Sequence, residues 1–225
     1  MKKLLFTLIF LYISLSVFSQ YDKQFFYCYQ YILTKDKFKK SVINKITDDI
    51  PFKDNDTILS IGASGSCLEV QFKLKNDRLK FWLEDIDSTC FNKKNTALLV
   101  KYHAEEFNKN ITNDFTLVYG TEKSTLLSEN SFNYILLSRM FHHIEYKKEM
   151  LQDLHKVLRN DGVMYLLESV ATKKGAKHKG CGELLLWKSE LEKILNENGF
   201  EVTASKGYYK NRKSMFTLFT VKKKR

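Results

Sequence analysis

The sequence predicts an α/β fold, a seven-stranded and mostly parallel sheet with helices on both faces and a C-terminal antiparallel hairpin. Three observations predict it. Strand-like apolar runs alternate with helical segments from Thr57 onward, the pattern of a parallel sheet covered on both sides. The first run, Ile58-Leu59-Ser60-Ile61, enters a turn of small residues, Gly62-Ala63-Ser64-Gly65-Ser66, and the next run ends in the acids of Glu84-Asp85-Ile86-Asp87. Small residues let backbone approach a ligand, and a carboxylate at the neighbouring strand tip can accept hydrogen bonds from a ribose diol. Finally, the last two strands have no helix between them, so one of them runs antiparallel.

In chain order, residues 1–19 stand apart. Lys2 and Lys3 precede an uncharged apolar run over residues 4–18, and Val17 and Ser19 are small enough for the −3 and −1 positions of a cleavage site. This is the pattern of a secretory signal. The run is short of the roughly 20 residues that span a bilayer comfortably, so an uncleaved membrane anchor is the alternative. Residues 20–56 form a helical lead-in, with Phe25, Phe26, Tyr29, Ile32 and Leu33 at helical spacing, before a turn at Pro51 and the polar stretch 53–56. Residues 57–225 form the main domain. Strands are expected at 57–62, 79–84, 115–119, 132–138, 162–167, 200–205 and 215–221. Helices are expected at 65–75, from 87 to about 107, and along the apolar face Met150, Leu151, Leu154, Val157 and Leu158. Ser189 and Glu192 predict a capping box for the last helix, which Asn198-Gly199 closes.

Composition excludes little. The apolar fraction is 44% and the charged fraction 28%, ordinary for a globular chain that builds its own core. The formal charge is +11, with lysines grouped near residues 35–40 and 173–179 and in the closing Lys222-Lys223-Lys224-Arg225. Without an aromatic-basic module this reads as solvated surface and a solvated tail, not as a nucleic-acid interface. Cys28, Cys67, Cys90 and Cys181 form no CxxC pair and no zinc spacing with histidine, so no metal site is expected. They are expected to be structural thiols, with a Cys67–Cys90 disulfide as the alternative.

The order of these segments resembles the class I S-adenosylmethionine-dependent methyltransferases from about Thr57 to the C-terminus. Five matches carry the resemblance: the turn at Gly62; Asp85; Gly120-Thr121-Glu122; the stretch Asn130 to Ser138 with Phe141-His142-His143-Ile144; and Leu154-His155-Lys156-Val157-Leu158-Arg159-Asn160-Asp161-Gly162. The resemblance implies S-adenosylmethionine as cofactor, bound by Gly62, Ser64, Gly65, Asp85, Thr121, Glu122 and Ser138, with Arg139 near the methyl group. His142 and Glu168 become candidate catalytic bases, the second read otherwise as a solvated acid at a strand end. His178 and Cys181, in the loop after the fifth strand, become candidate acceptor contacts. Glu69 is either a cofactor contact or a surface and helix-pairing residue. This sequence departs from the family at Ser60, where an acid is usual; at Ser64 and Ser66, where glycines are usual; at Asn133; and at Asn160-Asp161-Gly162. The implied function is methyl transfer to a small-molecule acceptor, since the signatures of DNA-methylating relatives are absent. The alternative is an exported or membrane-tethered binding protein that keeps the fold without catalysis.

Overall fold

The computed structural model describes residues 27–29, 37–106 and 111–224, without the side chains of residues 37–41 and Cys67. The expected signal or anchor, and most of the aromatic stripe of the lead-in, lie outside the described residues. Among the described residues no helix is long and apolar enough to cross a membrane. Chain contacts divide the protein at residue 36, and the sheet with its helices belongs to the unit Lys37–Arg225. The second half of the lead-in is therefore part of the main domain. Helix α1 (Lys37–Asp49) brings Ile46 and Ile50 into the same apolar cluster as Phe72 and Phe81.

The strands are β1 (Thr57–Ile61), β2 (Lys80–Asp85), β3 (Thr116–Tyr119), β4 (Phe132–Ser138), β5 (Leu158–Ala171), β6 (Phe200–Lys210) and β7 (Ser214–Lys223). Between them run α2 (Cys67–Lys75), α3 (Lys93–Glu106), α4 (Lys147–Val157) and α5 (Lys188–Glu197). The sheet order is β3-β2-β1-β4-β5-β7-β6. Strands β1 to β5 pair in parallel, and β7 alone is antiparallel to its neighbours β5 and β6. The seven strands and the closing hairpin match the expectation.

Alternation of side chains across the sheet builds two cores. Ile135, Leu137 and Leu166 pack with Leu151 and Leu154 of α4 and Leu191 and Leu195 of α5. Leu136 and Leu167 project to the other face, with Phe72 of α2 and Ile46 of α1. Strands buried on both faces read as continuous apolar runs, which is why β1 and β4 were legible. Asn133 has a structural use: its Oδ1 accepts the Thr57 N–H at 3.0 Å and ties β4 to the start of β1. Asn133→Ala is expected to lower stability by about 1 kcal/mol and Asn133→Asp to change it little, read as urea midpoints.

Several boundaries differ from expectation for local reasons. Strand β5 begins at Leu158, directly after α4, because the turn-like Asn160-Asp161-Gly162 is absorbed into an irregular start beside Phe132. Helix α5 begins at Lys188 rather than after Ser189. Glu190 Oε2 reaches back to accept the Trp187 N–H at 2.8 Å, one residue ahead of the helix, so the box at Ser189 and Glu192 does not form. Helix α3 starts at Lys93 because Asp87 Oδ1 draws the Thr89 and Cys90 N–H groups into a turn. The basic tail is partly structural. Lys222 and Lys223 lie in β7, and Lys224 Nζ donates to Asn196 at 2.7 Å. Cys28 and Cys90 are each disulfide-bonded rather than free thiols, and Cys181 is a free, exposed thiol.

Candidate functional site

Strand order reverses between β1 and β4, so the crevice of this sheet opens beyond the C-terminal ends of those two strands, where open α/β sheets bind ligands. The candidate residues gather along that edge.

The turn after β1 depends on Gly62, whose φ is +65°. The Ser66 N–H and Oγ both bond to the Ala63 carbonyl, at 2.9 and 3.0 Å, and Ser66 takes a left-handed φ of 43° ahead of α2. Serine thus occupies a left-handed conformation that glycine adopts more readily, held by its own hydroxyl. The acid missing at Ser60 returns from another element. Ser60 Oγ donates to Glu69 Oε1 at 2.5 Å, and Glu69 is buried in α2, where desolvation pushes its carboxyl up. Glu69 therefore lies beneath the turn and not on a solvated helix face.

Asp85 stands at the tip of β2 next to that turn. Its Oδ2 accepts the Ser64 N–H at 3.1 Å and its Oδ1 accepts the Asp87 N–H at 2.9 Å. One position earlier, Glu84 points inward and is only 2% exposed, with its Oε1 lacking a hydrogen-bond partner. Burial, with the nearby Asp85 charge, pushes its carboxyl up to about 7, partly offset by the backbone of Gly62 and Gly120. Glu84 thus sits between the two turns that carry the expected cofactor contacts.

Beyond β3, Thr121 is committed to its own turn. Its Oγ1 accepts the Lys123 and Ser124 N–H groups at 3.3 and 3.0 Å, which leaves Glu122 exposed. Asp153 of α4 fixes this loop by accepting from Ser124 Oγ and from the N–H and Oγ1 of Thr125, at 2.7 to 2.8 Å. An open depression of about 450 Å³ lies here, lined by Ile86, Thr121, Glu122 and Lys123.

On the other side of the crevice, Ser138 ends β4, and the Arg139 N–H bonds to the Leu167 carbonyl at 2.7 Å. The next residue, Met140, lies across the glycine turn. A Cβ placed on Gly62 would meet its Cγ at 2.5 Å and its Sδ at 2.6 Å. A single turn of 3₁₀-helix, Phe141–His143, follows. His142 Nδ1 is 2.9 Å from Glu168 Oε2, which also accepts the His142 N–H at 3.2 Å, and both side chains are 3% exposed. Glu168 is therefore neither solvated nor at a strand end, since β5 continues to Ala171. His178 and Cys181 reach the same place, with His178 Nδ1 3.2 Å from Cys181 Sγ and the His178 ring 4.7 Å from that of His142. Burial, reinforced by His142, holds the His143 and His178 imidazoles below their usual range.

The structure thus gathers the expected residues into two groups, one of Gly62, Ser64, Gly65, Asp85 and Glu122, and another of His142, Glu168, His178 and Cys181. Sequence reasoning missed Glu84, Met140 and Asp153. Two acids in succession at a strand end were the only signal for the first.

Residues 87–166 match the family model of a methyltransferase domain. The match begins just after Asp85, so it excludes the altered turn. Among solved structures, a SAM-dependent methyltransferase from Aquifex aeolicus aligns at 14% identity over 80% of this chain and 88% of its own, with a TM-score of 0.59. A SAM-dependent methyltransferase from Methanosarcina mazei aligns at 15% over 76% and 94%, with a TM-score of 0.58. The [4+2]-cyclase SpnF aligns at 9% over 81% and 80%, with a TM-score of 0.65. No curated protein sequence matches.

Proposed function

We propose that this chain is a class I S-adenosylmethionine-dependent methyltransferase that binds that cofactor and methylates a small-molecule acceptor, a reading supported by its fold and by the matched segment 87–166. One observation carries the reading. A carboxylate, Asp85, stands at the tip of β2 against the glycine turn of β1, beside the open depression lined by Ile86 and Glu122.

The residues present fit the nucleoside end of the cofactor. Asp85 would accept from the ribose hydroxyls, Ile86 offers an apolar surface to a base, and the turn from Gly62 to Gly65 presents backbone to the methionine end. S-adenosylmethionine supplies the methyl group from a sulfonium when bound. The protein's part is to align the acceptor over the ends of β4 and β5, against His142 as Glu168 orients it. A small acceptor is favoured because the described unit carries no separate recognition domain.

One observation favours the alternative, a binding protein that keeps the fold without catalysis. Met140 covers Gly62, where the methionine end would approach. Its thioether chain is flexible, so the two readings differ in whether it yields. Calorimetric titration of the purified protein with S-adenosylhomocysteine separates them. Asp85→Ala is expected to weaken binding at least tenfold, from the loss of charge-assisted hydrogen bonds of about 1.5–3 kcal/mol. Absence of binding by folded protein, in both the natural chain and Met140→Ala, would sink the enzyme reading.

The leader-like first 19 residues support export, or tethering through residues 4–18, and the disulfide-bonded state of Cys28 and of Cys90 fits an oxidising compartment. Fractionation of cells carrying a reporter fused after Ser19 tests this, and a soluble cytosolic reporter overturns it.

A further inference from the structure

The group around His142 and Glu168 joins side chains that sequence spacing does not. One ring nitrogen of His142, one of His143 and Cys181 Sγ lie within 4.8 Å of one another. The first two sit on the 3₁₀ turn after β4, and the cysteine comes from the loop after β5, where the Gly182 N–H bonds back to the His178 carbonyl at 2.9 Å. The rings of His142 and His143 are 4.1 Å apart.

His142 shows what the group is suited for. Glu168 accepts from Nδ1, which fixes the proton there and leaves Nε2 with a lone pair. That Nε2 is buried and has no hydrogen-bond partner. A buried polar atom without a partner is costly and calls for an occupant. A carboxylate behind one nitrogen of a histidine, with the other nitrogen open among further ligands, is the outer support that metal-binding imidazoles receive.

We propose that His142, His143 and Cys181 bind a divalent transition-metal ion of the zinc type, with Glu168 orienting His142 and His178 hydrogen-bonded to Cys181. Imidazole and thiolate ligands select such an ion over magnesium or calcium, which take oxygen. Ligand atoms around one tetrahedral zinc stand about 3.2–3.8 Å apart, so the observed spread closes by side-chain rotation. His143 and Cys181 are exposed, while His142 is anchored by Glu168. Binding releases the thiol proton of Cys181 to solvent. Two neutral imidazoles and one thiolate leave the ion a net single positive charge and a fourth position open. The site itself stands on these residues alone. Its use rests on the methyl-transfer reading, in which an acceptor hydroxyl or thiol at the fourth position releases its proton to solvent and is held as its anion, and the metal replaces His142 as the means of activating it.

The test uses chelator-treated, redialysed protein titrated with zinc chloride, and with cobalt(II) chloride by absorption spectroscopy. One equivalent is expected to bind, with a thiolate-to-cobalt charge-transfer band. Cys181→Ser is expected to remove the band, His143→Ala to weaken zinc at least tenfold, and Glu168→Gln to weaken it about 10- to 100-fold. Cys181→Ser and His143→Ala alter exposed groups and leave the fold intact by circular dichroism. Folded protein that takes up no zinc or cobalt, or a cobalt band unchanged in Cys181→Ser, overturns the inference. S-adenosylhomocysteine binding on the same samples keeps the two readings apart. Its loss with metal binding retained removes the cofactor reading alone, and the reverse removes the metal site alone.

Discussion

Raising the pH from about 4 to about 8 is expected to cost this protein about 3 kcal/mol of stability through Glu84, and Glu84→Gln to recover most of that loss. The folded-state pKa is about 7, against an ordinary value of 4.5. Below 4.5 the carboxyl is protonated in both states, and its burial carries no charge penalty. Between 4.5 and 7 the unfolded chain releases the proton while the folded chain retains it, so stability falls as pH rises. Above 7 the loss is complete and constant. A separation of about 2.5 pKa units corresponds to about 3 kcal/mol. Asp49, held low by its hydrogen bonds from Lys206 and Tyr208, acts in the opposite direction and below this window. Urea unfolding at several pH values, natural chain against Glu84→Gln, isolates the effect. Parallel profiles for the two proteins would contradict it.

Gly120→Ala is expected to destabilise the fold by about 3 kcal/mol, the upper end for overpacking. The added Cβ would lie 2.0 Å from Glu84 Oε1, 2.9 Å from its Cδ and 3.1 Å from the Ser124 carbonyl. The carboxyl is buried and the loop opposite is fixed through Ser124 by Asp153, so neither neighbour yields cheaply. Trimming the obstructing group supplies the control. Gly120→Ala combined with Glu84→Ala is expected to be more stable than the sum of the single changes by about 2 kcal/mol, a coupling of the size found between contacting residues. Additive denaturation midpoints would mean that the contact carries no energy.

Both predictions turn on the contact between Glu84 and Gly120, which a linear reading does not reveal, and the reason is physical. Period and punctuation reveal elements, because burying one face of a strand or helix imposes a repeat on the sequence. Hence 132–138 was found at its observed bounds, and Gly62 and Asp85 were placed on adjacent strand tips. Side-chain partnerships across elements leave no repeat. Ser60 looked like the loss of an acid until Glu69 appeared beneath it from α2. His142 and Cys181 lie far apart in sequence, and only the ends of β4 and β5, neighbours in the sheet, bring them together. Glu190 displaced the expected box at Ser189 because its carboxylate reaches the Trp187 N–H, a choice between two adjacent caps that composition does not decide.

The position of β7 also bears on how the chain is made. Among the described residues, strand β5 finds its neighbour on that side only in β7, where Ala171 pairs with Ser214, and β6 pairs with β7 alone. At a synthesis rate of roughly 5–20 residues per second, the nascent β5 edge waits about 2–9 s for its partner. During that interval Leu166, Leu167 and Val170 belong to an unfinished sheet whose open edge can recruit other chains. The same delay makes the segment from β5 to β7 the place where a holding chaperone would act.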